Sequence, residues 1–123
     1  MKYKILLVFS VVVFLLSGCV AETEFLSEEK LPDDKISAIL YRKNAGATTA
    51  YGYHVDIIKE RKVFKDIEIN VFRASNTNHI SVDWKSKNKL LISVMGNETI
   101  IYFQEEEVKI GNDIIKIEYN IQE

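Results

Sequence analysis

The chain has 123 residues, 16 Lys and Arg against 18 Asp and Glu, and a single cysteine. That is enough chain for one domain with its own core, and too even a charge balance for the basic surface that nucleic acid demands. With one cysteine no intramolecular disulfide can form, so the apolar core alone must hold the fold.

The N-terminus reads as a secretory signal: Lys2 and Lys4, an apolar run over residues 5–16, then the small residues Ser17 and Gly18. As a helix the twelve-residue run rises only about 18 Å, well short of a hydrocarbon core of ~30 Å, so a cleaved segment is expected rather than a permanent span. Leu16-Ser17-Gly18-Cys19 resembles the lipobox of bacterial lipoproteins. In that setting cleavage falls between Gly18 and Cys19, and the cysteine carries a diacylglyceryl group with acyl chains such as palmitate. Two chains supply the double anchor that stable attachment needs. The sequence thus predicts a protein held by Cys19 on the extracytoplasmic face of a cell membrane or outer membrane.

Three segments follow: a signal peptide over residues 1–18, an acidic tether over 19–33, and a β domain over 34–123. Loss of Lys2 and Lys4 leaves 14 basic against 18 acidic side chains, a balance near −4. The stretch 20–30, with Glu22, Glu24, Glu28 and Glu29, reads as a solvated spacer, a short helix around 23–30 being the alternative.

From Asp34 onward the period is two, the mark of strands with one buried face. Ile36, Ala38 and Leu40 share a face. Tyr51, Tyr53, Val55 and Ile57 share another, opposite Gly52, His54 and Asp56. The pattern recurs in Ile67, Ile69 and Val71, in Ile80, Val82 and Trp84, and in Leu90, Ile92 and Val94. Residues 99–103 and 114–121 are rich in the β-branched and aromatic types that strands favour.

Connections are short. Gly96-Asn97 suits a two-residue hairpin turn with positive φ, as does Gly111-Asn112-Asp113, and the polar stretch 85–89 joins two more strands. Without helical crossovers, parallel pairing is not expected. The expected fold is all-β: after the signal helix, a single antiparallel meander of about seven or eight strands forming a small sandwich or partly closed barrel. By parity Tyr41, Phe72 and Tyr102 lie opposite the apolar partners of their strands, as an exposed aromatic patch or a surface for further strands.

One loop differs from this background: Asn44-Ala45-Gly46-Ala47-Thr48-Thr49-Ala50 lacks any large or charged side chain. Either it tucks against its own sheet, or Asn44, Gly46, Thr48 and Thr49 form a binding loop for an anion or a partner's backbone. Here the chain resembles a family of small bacterial envelope domains of unknown function. The resemblance rests on Leu31-Pro32-Asp33-Asp34-Lys35, Tyr41-Arg42-Lys43-Asn44-Ala45-Gly46-Ala47-Thr48-Thr49, Asn70-Val71-Phe72-Arg73-Ala74, Val82-Asp83-Trp84 and Lys89-Leu90-Leu91-Ile92. That family has an Arg-Asn-Cys-Gly-Ala-Thr-Thr-like loop followed by an Asn-Val-Phe segment. The likeness covers residues 31–94, with Gly46 to Thr49 its most specific part. Asp34 replaces a usual Gly and Ala45 a frequent Cys, so a thiol-dependent role for the loop is absent.

Chemistry-bearing motifs are sparse. His54 and Asp56 share one polar strand face and His79 precedes Asp83 by four residues; converged, they suit a divalent metal or a hydrolase site with Ser75, Ser81 or Ser93. No motif frames them, so no catalytic residue, metal ligand or cofactor is assigned. Glu105-Glu106-Glu107 reads as a solvated hairpin tip rather than a calcium cage. The expectation is a non-enzymatic binding or interaction module whose partner is an envelope protein or wall component, not nucleic acid. The alternative is a small envelope hydrolase or metal-dependent enzyme using His54 and His79 with Asp56 and Asp83.

Overall fold

In the computed structural model, which describes residues 22–31, 35–44 and 52–122, the described residues form nine strands, most of them built from alternating apolar residues. They are β1 (Glu22–Lys30), β2 (Ile36–Asn44), β3 (Gly52–Lys59), β4 (Ile67–Ser75), β5 (His79–Ser86), β6 (Lys89–Met95), β7 (Ile100–Gln104), β8 (Glu107–Ile110) and β9 (Asp113–Gln122). The described residues contain no helix; the expected signal helix lies outside them.

The strands form a five-stranded sheet, β1-β2-β3-β4-β7, and a four-stranded sheet, β5-β6-β9-β8. Inward faces of both sheets make one core, including Ile36, Ala38, Leu40, Val55 and Ile57 from the first and Ile80, Val82, Leu90, Ile92, Val94, Ile115 and Ile117 from the second. Cross-layer contacts tie the two: Phe72 packs on Tyr119 at 5.6 Å between ring centroids, and the Trp84 indole N–H donates to the Glu29 carbonyl at 2.8 Å. The fold is therefore all-β and a sandwich, and the barrel alternative is set aside because the sheets remain separate.

Several expectations need correction. Glu22–Lys30 is not spacer but the edge strand β1, paired antiparallel with β2 along its length. Its side chains are largely exposed, so apolar alternation is absent and the sequence hides the strand; backbone pairing and the Trp84 bond hold it. The topology is not a meander, and β6 pairs with β9 in parallel. The crossover between them, residues 96–112, contains β7 in the opposite sheet and β8 beyond β9, so a strand layer does the work expected of a helix.

Phe72 is fully buried rather than outward-facing. Val55 pairs with Phe72 while Asp56 pairs with Asn70, so Val71 is an extra residue that shifts the parity of β4. Gly96 does not close a hairpin, because β6 and β7 belong to different sheets, and its φ is not positive. Gly111 is the glycine with positive φ, at 62°, in the two-residue turn between paired Ile110 and Asp113. A positive φ at the first central position is the II′ pattern that matches strand twist.

Candidate functional site

Because Val55 and Ile57 point into the core, their neighbours His54 and Asp56 stand on the outer face of the five-stranded sheet. The register sets Tyr41 of β2 beside His54, and Arg73 of β4 on its other side; Asp56 lies beside Asn70. Tyr41 and His54 stack with centroids 5.0 Å apart and planes 11° apart. Burial pushes the His54 imidazole below its ordinary value, and Lys43 adds to this, against an opposing pull from Asp56. At neutral pH the ring is thus a neutral plate.

Asp56 is the anchor of this face. Only 4 % exposed, it accepts the Tyr41 hydroxyl at 3.0 Å and the Asn70 amide N–H at 2.7 Å. Asn70 also donates to the Val55 carbonyl at 3.2 Å, across the bulge. Among the described residues no buried side-chain nitrogen or oxygen lacks a partner, so the carboxylate's burial is matched by donors. Burial, and next the Asp56 charge, push the Tyr41 phenol well above its ordinary range. Glu68, hydrogen-bonded to Asp56, is held above the usual carboxylate range by that bond and by partial burial.

Over this network lies an open depression of about 440 Å³ lined by Thr23, Phe25, Ile39, Tyr41, Lys43 and Glu68. Phe25 is 60 % exposed. Lys43 stands 5.7 Å from the Tyr41 ring centroid, and Arg73 5.0 Å from that of Phe103. The face therefore offers aromatic surface, two cations and one carboxyl around a fixed floor.

The structure separates the residues proposed for chemistry. His79 and Asp83 belong to β5 in the four-stranded sheet and are exposed. His79 lines a different, smaller depression with Arg42, Tyr53 and Asn78. Among the described residues no group of three His, Cys, Asp or Glu is arranged to hold a metal ion. Ser75 donates to the Tyr102 hydroxyl, not to a histidine. Cys19, Gly18, Gly46, Thr48 and Thr49 lie outside the described residues; of Asn44 the backbone is placed, at the end of β2 opposite Glu22.

In the sequence Tyr41 stands out as an aromatic, Asp56 as a carboxylate and Asn70 only within its motif, while no local signal marks Glu68. Their joining depends on cross-strand register, which no local pattern encodes.

No curated protein and no solved structure matches the chain. A family model described as a family of unknown function (DUF5412) matches residues 1–121, and to that family the chain belongs.

Proposed function

We propose that this protein is a lipid-anchored bacterial envelope protein whose β domain is a non-enzymatic binding module, working through the outer face of the five-stranded sheet. The observation that carries the binding half is the depression of Phe25, Ile39, Tyr41, Lys43 and Glu68, set on the Tyr41–Asp56–Asn70 network. Residues fixed on strands present a partner with a surface that needs little reordering, which lowers the entropy cost of association. The mixture of exposed aromatic and cationic groups suits an envelope protein or wall component. The anchoring half rests on Leu16-Ser17-Gly18-Cys19 after the apolar run. The small-residue loop, with Asn44, Gly46, Thr48 and Thr49, is proposed as an adjoining contact on composition alone.

Photocrosslinking in intact cells tests the reading. A photoreactive residue at Ile39, inside the depression, is compared with one at Lys116, exposed in the other sheet. Defined adducts from Ile39 alone, lost with Tyr41→Ala, are expected. Equal adducts from both positions would remove the face from consideration.

A further inference from the structure

The two ends of the sandwich differ in chemistry. At one end lie the β4–β5 connection, residues 76–78, and the β6–β7 connection, residues 96–99, beside the start of β1 and the end of β9. Hydrogen bonds close this end: the Asn78 amide donates to the Met95 carbonyl, the Gly96 amide to the Gln122 carbonyl, and the Asn76 side-chain amide to the Glu98 carbonyl. Glu98 is the one charged residue in these two connections. Around them stand Met95, Ile100 and Ile121, exposed by 50 %, 50 % and 44 %. At the opposite end the described connections 60–66, 87–88, 105–106 and 111–112 carry eight charged residues, Lys62, Lys65, Lys87 and Glu105 among them.

Covalent reach decides which end meets the membrane. Three peptide steps separate Cys19 from Glu22, so even a fully extended chain spans at most about 11 Å between them. Glu22 opens β1 opposite Asn44, at the weakly charged end. The eight residues of β5 alone extend about 26 Å, so the charged end lies well beyond that tether. A domain lying on its β1 edge would press Glu24, Glu28 and Glu29 against the lipid, at a cost in repulsion and desolvation. The weakly charged end carries less of that cost and has apolar side chains to offer.

We propose that this end rests on the bilayer, with Met95, Ile100 and Ile121 in the headgroup layer. The five-stranded sheet then stands upright, its outer face opening sideways, and the Val63–Phe64 tip points away from the membrane. This orientation rests on the proposed lipid at Cys19. It replaces the image of a domain lifted off on a spacer with one seated directly on lipid.

The test uses the full-length lipidated protein in phosphatidylcholine–phosphatidylglycerol vesicles containing brominated phosphatidylcholine. Once lipid occupies the Cys19 thiol, Asn97→Cys or Val63→Cys supplies a unique site for a fluorophore. Severalfold stronger bromine quenching at Asn97 than at Val63 is expected, weakened when Met95→Ser and Ile100→Ser are added. Equal quenching, or stronger quenching at Val63, overturns the orientation. Intact mass of the same sample separates the two layers of argument: lipid present with an unquenched Asn97 label refutes the orientation alone, and lipid absent refutes the anchor and the orientation with it.

Discussion

Removing the Asp56 carboxylate should weaken the domain in a way that only Tyr41 and Asn70 explain. Hydrogen bonds to a charged group contribute about 1.5–3 kcal/mol each, and Asp56 accepts two. Three features reduce the sum. Tyr41 is half-buried, so water replaces part of its bond; Asn70 keeps the Val55 carbonyl; and the variant relieves repulsion from Glu68. We expect Asp56→Ala to lower stability by about 2–3 kcal/mol, below the doubled range of about 3–6 kcal/mol because of these reductions. Tyr41→Phe alone should cost about 1 kcal/mol, and almost nothing once Asp56 is gone, a coupling of about 1 kcal/mol. Urea unfolding followed by fluorescence of Trp84, the sole tryptophan, measures all four corners of the cycle, with unchanged slope required. Additive costs, or a stabilised Asp56→Ala, would refute the network as described.

Three further outcomes follow from the same geometry. Gly111→Ala forces an L side chain to φ 62° and sets its Cβ 2.7 Å from the Lys59 amine; a loss of about 1–2 kcal/mol in thermal or urea unfolding is expected, and no loss would contradict the turn. Trp84→Phe leaves the Glu29 carbonyl without its donor, costing about 1 kcal/mol, with faster hydrogen exchange concentrated in β1 and β2; uniform acceleration would contradict the idea of a latch. Glu68 has its folded pKa raised, so its favourable contribution is complete below its ordinary value of 4.5 and is lost as pH rises through the folded value. Glu68→Gln should therefore melt higher than wild type at pH 7 and with it near pH 4, the gain being about a few tenths of a kcal/mol at so exposed a site. The reverse ordering in a melting series would show that Asp56 does not repel it.

Sequence alternation located the strands with one buried face, and Ile36, Ala38, Leu40, Val55, Ile57, Leu90, Ile92 and Val94 all enter the core. It failed where burial and period part company. In β1 the backbone pairs while the side chains lie at the surface, where Glu24 meets Arg42 and water, so Glu24 and Glu28 read as tether. In β4 the extra Val71 turns Phe72 inward, since one inserted residue exchanges the faces of everything beyond it. The parallel pairing of β6 with β9 is a long-range choice that turn residues do not announce. The same limit governs the site: Tyr41, Asp56 and Asn70 are separately visible as an aromatic, a carboxylate and an amide. They become a network only once the register of three strands is known.

The envelope setting and the seated orientation both depend on the anchor, and intact mass spectrometry of the chain extracted from bacterial membranes tests it most directly. A mature chain beginning at Cys19 and carrying a diacylglyceryl group is expected, with loss of the membrane-bound form in Cys19→Ala. A membrane-bound chain with an unmodified Cys19 thiol, or one whose fractionation is unchanged by the substitution, would contradict it.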